Sequence, residues 1–402
     1  MSDNNLTRSR WAVLIAACLI NVCIGTSYAW SMFRGPLLEA VNPESGLIPY
    51  AFTVASGIAP IPMVAGGALT RKFGPGKVVL GGGILFGGGV LLTGFASSDM
   101  IVIIGYGILM GLGMGFVYGC TITNTIKFFP DKAGLVGGLT TATYGLGSVI
   151  LPLIVSGIDG SNVLSYFKVL GIVYLVVITI GSFFIKPCPD GFKPEGWIPP
   201  APKAGVKAPE SKNWKQMLAD PVFWVMLILM ICGALLGLMM ISGCRTIVGD
   251  TFASEANIAA IATISVTILA LFNALGRVAC GAISDKLGRI NTLLMMLVVG
   301  VVGLVVITMA PTSVVCIAGI CLVGLAFGAF MGVYPGFTAE QFGPANNGVN
   351  YGIMFVGFAL AGIFGPMFYQ NFGTPTCYYL AIALGVLGLV LCFVYKAMNR
   401  AK

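Results

Sequence analysis

Twelve long apolar runs recur along the 402-residue chain and constrain its fold more than any other feature. A helix needs about 20 apolar residues to cross roughly 30 Å of hydrocarbon, so each run is long enough to span a membrane. Because unpaired backbone groups are not tolerated in hydrocarbon, such runs have to be helical. We therefore expect an all-α membrane protein with twelve transmembrane helices. The predicted spans are residues 11–33, 47–69, 78–96, 101–126, 134–157, 163–185, 221–243, 257–283, 291–310, 312–338, 347–371 and 375–395.

The positive charges are distributed unevenly between the two ends of these spans. With the N-terminus placed in the cytoplasm, only Arg34, Lys168 and Arg245 fall on the outer side and Arg277 falls within a span, which leaves 18 of the 22 cationic residues on the cytoplasmic side. This is the positive-inside bias of membrane proteins. It predicts a multi-pass protein of the cytoplasmic (inner) membrane with both termini in the cytoplasm. The net charge of +8 therefore reflects topology in a lipid bilayer and predicts no nucleic-acid partner.

A stripe of glycines, one at every fourth position, runs along the fourth predicted helix and reappears in the tenth. The first stripe is Gly111, Gly115 and Gly119, and the second, at one constant offset from it, is Gly324, Gly328 and Gly332. Small residues at this spacing let membrane helices approach closely. The repeat indicates a duplication of two six-helix halves, which is typical of alternating-access transporters. We expect an N-terminal bundle at 1–185, a cytoplasmic linker at 186–220 that is rich in proline and lysine, and a C-terminal bundle at 221–402.

Arg277 lies inside an otherwise apolar span. An arginine at membrane depth costs roughly 2.5–3.5 kcal/mol or more, so its presence needs a reason. The fourteen acidic residues all fall in predicted loops, termini or span ends, which leaves an exchangeable anion as the expected partner. A guanidinium pairs with a carboxylate through two parallel hydrogen bonds. The alternative is that Arg277, close in sequence to the loop residue Asp285, extends its side chain to the cytoplasmic surface.

The loop after the eighth helix, GAISDKLGR from Gly281, is similar to the signature G-x-x-x-D-K/R-x-G-R of the major facilitator superfamily. The loop after the second helix, from Gly67 to Gly74, keeps the pattern without the aspartate. The resemblance covers the whole chain and implies two pseudo-symmetric six-helix bundles, the major facilitator fold. It also implies a gating role for the loop aspartate, which engages a neighbouring helix end. The expected gating residues are Asp285, Arg289, Arg71 and Gly281.

Four shorter motifs resemble the oxalate/formate antiporter family, which is related to the monocarboxylate transporters and to bacterial proton-coupled lactate carriers. They are SYAW from Ser27, FFPDKAGL from Phe128, YGLG from Tyr144 and NYG from Asn350. The resemblance implies that Arg277 is the substrate-binding arginine. Where the oxalate exchanger has a second cation on helix 11 this chain has Phe358. Where the animal monocarboxylate transporters have an aspartate it has Asn273.

Several polar and aromatic side chains complete the predicted site. Tyrosine rings can line a small cavity and still present a hydroxyl, whereas Asn273 can hold the arginine, reach a substrate hydroxyl or bond to another helix. Taken singly, each residue other than Arg277 can also be a packing residue. The predicted substrate-binding residues are Arg277, Asn273, Tyr118, Tyr334, Tyr28, Phe358 and Phe355.

The chain has no histidine, no metal-ligand spacing and no nucleotide loop, so we expect neither an enzyme nor a cofactor or metal site. The sequence favours a monomeric secondary transporter of small monocarboxylates such as L-lactate, with proton symport. One buried cation neutralises a monoanion better than a dianion such as oxalate. Without an acid in mid-span, the proton is expected to travel with the substrate. The alternatives are an oxalate/formate-type anion exchanger and, from another class, an anion channel or sensor.

Overall fold

The structure is a computed structural model that describes residues 3–41, 46–155, 157–189, 191–196 and 211–400. Residues 190 and 197–210 of the predicted linker lie outside the described residues, and so does Glu44. The described part contains twelve helices long and apolar enough to cross a membrane, as predicted, so the chain is a multi-pass membrane protein. They are α1 (Ser9–Ala29), α2 (Ile48–Phe73), α3 (Pro75–Thr93), α4 (Asp99–Lys127), α5 (Ala133–Leu151), α6 (Val163–Ser182), α7 (Pro221–Ile241), α8 (Ile258–Leu287), α9 (Arg289–Thr308), α10 (Ser313–Phe342), α11 (Asn347–Gly365) and α12 (Thr376–Asn399).

Some helices extend beyond the apolar runs that predicted them. Helix α7 continues as far as Thr251, whereas its apolar run ends at residue 243. Helix α10 runs to Phe342, about one turn past its predicted end at residue 338. Hydropathy detects only the part of a helix that lies in hydrocarbon, so polar helix ends such as those carrying Arg245 and Glu340 are missed. A short helix outside the spans, Trp214–Ala219, precedes α7.

Two helices that pack against each other, α2 and α11, each change locally at one residue in mid-span, Ala59 and Phe355, where the backbone dihedral angles stay helical. Helix α2 consists of the segments Ala51–Ile58 and Pro60–Phe73, and α11 consists of two segments that meet at Phe355. The change in α2 precedes Pro60, which has no N–H to continue the helical hydrogen bonds. Phe355 still donates to Tyr351 and accepts from Ala359, so α11 crosses the structure as one helix.

The two glycine stripes serve the same purpose in the two halves. In the first half, a Cβ on Gly115 of α4 would lie 2.2 Å from the carbonyl oxygen of Ala59 in α2. In the second half, a Cβ on Gly328 of α10 would lie 2.1 Å from the carbonyl oxygen of Asn273 in α8. Only glycine permits this approach, and α10 thereby fixes the helix that carries Arg277.

The halves meet on one side of the membrane, here named the linker side because residues 186–189 and 211–213 lie there. A Cβ on Gly67 of α2 would come within 2.4 Å of the backbone of Gly348 in α11. A Cβ on Gly281 of α8 would come equally close to the carbonyl oxygen of Gly134 in α5. The two contacts are related by the internal repeat, since Gly281 follows Gly67 at the same offset as Gly348 follows Gly134. At these two contacts the backbones touch, so a solute cannot pass between α2 and α11 or between α8 and α5 there.

Candidate functional site

Arg277 is buried at the boundary between the halves, with 1% of its surface exposed. Its backbone is enclosed by glycines of two neighbouring helices, because a Cβ on Gly138 of α5 or Gly332 of α10 would lie 2.1 or 2.4 Å from the Arg277 carbonyl oxygen. The side chain therefore has no route to the membrane surface in this structure. The structure therefore does not show the alternative arrangement, in which the Arg277 side chain reaches the cytoplasmic surface.

Neutral acceptors hold two of the three guanidinium nitrogens. Nε donates to Oδ1 of Asn273 at 3.0 Å, and Nη1 donates to the backbone oxygen of Thr141 in α5 at 2.8 Å. Nη2 is buried and has no hydrogen-bond partner among the described residues. None of the ion pairs found in the described part of the chain involves Arg277. The guanidinium is thus oriented by its neighbours while its charge is left without a counter-ion.

Aromatic side chains from both halves surround the guanidinium. The hydroxyls of Tyr28 and Tyr118 lie close to Arg277, although neither forms a bond of good geometry with Nη2. The ring of Tyr144 contacts both tyrosines, with centroids 4.9 Å away in each case. Its hydroxyl lies 2.9 Å from the Ser27 hydroxyl. The aromatic cluster is amphipathic, with hydroxyls near the cation and ring faces around them.

A small cavity of about 20 Å³ lies next to this cluster, and its wall includes Tyr28, Tyr118, Phe355 and Phe358. Arg277 contacts two of these tyrosines and is not itself part of the wall. The two phenylalanines stack with centroids 4.6 Å apart and form its apolar side. A cavity of this size has room for about one water molecule. Binding of an organic acid therefore requires the surrounding helices to move apart.

Tyr334 does not lie among the aromatic side chains around Arg277. Its hydroxyl donates to the backbone oxygen of Met226 in α7 at 2.8 Å, and its ring stacks on Phe330 within the second half. The side chain is 0% exposed, and its hydroxyl already has a backbone partner. In this conformation the Tyr334 hydroxyl links α10 to α7 through a hydrogen bond.

Asp285 engages the end of a neighbouring helix. Its two carboxylate oxygens accept hydrogen bonds from the backbone N–H groups of Gly134 and Leu135, at 2.9 and 3.0 Å, at the start of α5. A carboxylate at a helix N-terminus is stabilised by the free N–H groups and the helix dipole. Arg289 pairs with Asp285 at 2.7 Å and with Glu340 at 3.2 Å. This network ties α8, α9 and α10 to α5 of the other half.

The repeat places an arginine where the second half has this aspartate. Arg71 precedes Asp285 at the same offset as Gly67 precedes Gly281. Because a guanidinium has no acceptor for helix N–H groups, Arg71 bonds instead to the side chain of Asn346, with Nη1 2.6 Å from Oδ1. The four residues expected to act in gating are therefore all at contacts between the halves.

Three groups at the site were missed from the sequence. Tyr144 and Tyr351 belong to the motifs that carry the family resemblance, and this membership was the available signal. The hydroxyl of Tyr351 lies near Tyr118 and has no bonded partner in the described chain. The third group is the backbone oxygen of Thr141, which no side-chain pattern predicts.

Comparison with known proteins agrees with this architecture. The family model described as Major Facilitator Superfamily matches residues 11–366. The oxalate:formate antiporter of Oxalobacter formigenes is 30% identical over 412 residues, covering 99% of this chain and 94% of the antiporter. The uncharacterized MFS-type transporter YhjX of Escherichia coli (strain K12) is 28% identical over 372 residues, covering 90% of this chain and 88% of YhjX.

Solved structures show the same fold. The crystal structure of the human organic anion transporter MFSD10 (TETRAN) superposes with a TM-score of 0.74 at 13% sequence identity, covering 95% of this chain and 99% of MFSD10. The predicted fold class is thereby confirmed. Because the family model spans most of the chain and a relative at 30% identity covers nearly all of it, the chain belongs to the Major Facilitator Superfamily, whose members are transporters and not enzymes.

Proposed function

We propose that this protein is a secondary transporter of small monocarboxylates such as L-lactate, with the substrate carboxylate bound by Arg277. The observation that carries the proposal is a buried guanidinium with no counter-ion among the described residues and with Nη2 unpaired. None of the ion pairs in the described part of the chain gives Arg277 a permanent partner. A transported anion neutralises the charge only during the cycle, which explains why the site retains the cost of an unpaired cation.

The donors that remain on Arg277 suit a carboxylate. A guanidinium has five N–H groups, of which Asn273 takes one and Thr141 takes one. The other three are the two on Nη2 and one on Nη1, enough to reach both oxygens of a single carboxylate. Tyr28 and Tyr118 add hydroxyl donors beside the same nitrogens. In this assignment Asn273 positions the arginine, and Phe355 and Phe358 contact the apolar part of the substrate.

Alternating access would move residues 1–185 and 221–402 as two units about this site. The contacts at Gly67 and Gly281, together with Asp285, Arg289 and Arg71, would open when the linker side opens. The positive-inside bias supports assigning the linker side to the cytoplasm of the inner membrane. In this proposal the protein works as a monomer.

Proton symport is the coupling that we propose. Acidic side chains are not among the residues that form the cavity wall, so the proton would travel on the substrate itself. Closure of the cavity desolvates the carboxylate and raises its pKa, whereas Arg277 lowers it. Protonation therefore depends on how far the substrate moves from the arginine during the cycle.

The similarity to the oxalate:formate antiporter supports a second candidate, anion exchange. Against oxalate as substrate stands the single cation, because a dianion would leave one charge unpaired in a low-dielectric cavity. Phe358 occupies the wall where a second cation would be needed.

The test is uptake by proteoliposomes of a panel of labelled acids, with and without an inward pH gradient. We expect L-lactate uptake that rises as external pH falls, is abolished by a protonophore, and is inhibited poorly by oxalate. Uptake that ignores the pH gradient but requires a counter-anion inside would reject symport in favour of exchange. Currents far above carrier turnover would indicate a channel.

A further inference from the structure

Tyr351 is a fully buried tyrosine whose hydroxyl forms no hydrogen bond with any described residue. It lies in the first segment of α11, Asn347–Met354. A phenylalanine would fill the same space without leaving a buried polar group unpaired, which is unfavourable. Packing therefore does not account for a tyrosine at this position.

The segment that carries Tyr351 is packed against the other half of the molecule. A Cβ on the adjacent Gly352 would lie 2.8 Å from the backbone nitrogen of Val64 in α2. Tyr351 is thus at the boundary that has to open for a solute to enter. Its hydroxyl lies close to that of Tyr118 without a well-aligned hydrogen bond, and a solute that enters this boundary would supply an acceptor.

Two other polar groups lie beside this hydroxyl. Tyr118, from the first half, is near both Tyr351 and Arg277. The ring of Phe355 contacts both tyrosines, with its centroid 5.6 Å from Tyr118 and 5.8 Å from Tyr351. Both Nη2 of Arg277 and the Tyr351 hydroxyl are unpaired donors, so one ligand with two adjacent acceptor groups would satisfy both.

We propose that the Tyr351 hydroxyl binds an oxygen atom on C2 of the substrate, so that the site selects 2-hydroxy and 2-oxo monocarboxylates over acids that lack this oxygen. The inference rests on the proposed function, in which Arg277 holds the carboxylate. The C2 oxygen of such an acid is adjacent to the carboxylate and accepts a hydrogen bond whether it is a hydroxyl or a carbonyl. A site that hydrogen-bonds a substrate oxygen rejects the analogue without it, because its own buried group is left unpaired.

The test uses the purified full-length protein and measures thermal stabilisation by L-lactate, pyruvate and propionate, which yields an apparent Kd for each acid. Propionate has the same carbon chain without the C2 oxygen. The variant is Tyr351→Phe, and the matched control is Tyr395→Phe, whose hydroxyl bonds to Gln341 Oε1 at 2.6 Å away from the cavity.

We expect the wild type to bind L-lactate and pyruvate about tenfold more tightly than propionate, as the loss of one hydrogen bond implies. Tyr351→Phe should raise the apparent Kd for lactate and for pyruvate about tenfold and leave the Kd for propionate unchanged. Tyr395→Phe should keep the wild-type ratios of these Kd values. Equal affinity of the wild type for lactate and propionate would overturn the inference without requiring any variant. An equal weakening of all three acids in Tyr351→Phe would also overturn it, although binding of monocarboxylates would still support the proposed function. No stabilisation of the wild type by any of the three acids would overturn the proposed function itself.

Discussion

Asn273 shows how one residue is used to fix another. It lies one helical turn before Arg277, and its Oδ1 accepts the Nε hydrogen at 3.0 Å. Oδ1 keeps a second lone pair and Nδ2 has two N–H donors. The structure shows the first of the three roles that the sequence leaves open, holding the arginine, and the remaining lone pair and N–H groups leave contact with a substrate hydroxyl open. Losing this bond leaves Nε unpaired and lets the guanidinium turn away.

We therefore expect Asn273→Ala to raise the KM for lactate roughly tenfold, with a smaller change in kcat. Asn124→Ala is the matched control, because that amide donates to the backbone oxygen of Lys186 on the linker side. Kinetics of uptake in proteoliposomes separate the two parameters. An unchanged KM in Asn273→Ala would show that the arginine is held without this bond.

In the proposed function, Phe358 keeps a second positive charge away from the cavity. It is 6% exposed and stacks on Phe355, so a lysine in its place would bring a second cation to the apolar wall. We expect Phe358→Lys to improve inhibition by oxalate relative to lactate, measured by competition against labelled lactate. Phe364→Lys, a more exposed position in the same helix, is the control. Strong oxalate binding by the unmodified protein would contradict the argument and favour exchange.

The sequence predicted some residues of the site and not others, for physical reasons. Arg277 could be identified because a charge in an apolar run has few explanations. Tyr118 and Tyr334 could not be distinguished, since a tyrosine in a membrane helix either lines a cavity or bonds to another helix. The structure brings Tyr118 to the arginine and gives Tyr334 a backbone partner. Tyr351 was quoted only as part of a motif, because hydropathy cannot show which face of α11 meets the other half.

At the scale of helices, the two locks between the halves are chemically unequal. The carboxylate of Asp285 accepts from two N–H groups at the start of α5, whereas Arg71 makes one exposed bond to Asn346 before α11. A cation near a helix N-terminus is unfavourable. The contact of α2 with α11 should therefore open more easily than that of α8 with α5.

Arg71→Asp should strengthen the weaker lock, because it places a carboxylate near the start of α11. We expect a larger population closed on the linker side and slower uptake. Electron spin resonance distances between labels at the exposed residues Lys77 and Lys286 report the opening. Lys72→Asp makes the same charge change one residue away as a control. Longer label distances in Arg71→Asp would contradict the assignment.

Glu255, in the loop between α7 and α8, is a carboxylate that should not contribute to proton coupling. It accepts bonds from the hydroxyl and the backbone N–H of Ser313, which hold its pKa below the ordinary value. A lowered pKa means that these bonds persist at higher pH and are lost only as pH falls below the usual range of a carboxylic acid. Glu255 thus stays ionised over roughly pH 5.5 to 7.5. We expect Glu255→Gln to retain the pH profile of uptake, and a shifted midpoint would show that this carboxylate takes part.

The element boundaries illustrate the same limit of sequence reasoning. The twelve spans follow from apolar length, which the bilayer dictates. The local change at Phe355 leaves no hydropathy signal, because the residues on both sides of it belong to one span, Asn347–Gly365. The local change in α2 has a visible cause in Pro60, but proline also occurs within continuous membrane helices such as α10, at Pro335.

For the whole molecule, the central claim is that one uncompensated buried charge makes the protein a carrier of monoanions. The duplication supplies two similar halves, yet at the offset that relates Gly67 to Gly281 the counterpart of Arg277 is Met63. The two halves therefore contribute different residues to the site. The second half supplies the cation, and the first half supplies Tyr28, Tyr118 and Tyr144. A substrate held between them contacts both halves, which is what couples its binding to their movement.

The most direct test is uptake and binding of L-lactate by Arg277→Ala and Arg277→Lys, with the exposed Arg245→Ala as control. Arg277→Ala should insert and keep at least the wild-type Tm, because it removes an unpaired buried charge, yet show neither binding nor uptake. Arg277→Lys should recover little, since an ammonium cannot offer the paired N–H groups of a guanidinium. Wild-type uptake by a well-folded Arg277→Ala protein would contradict the account.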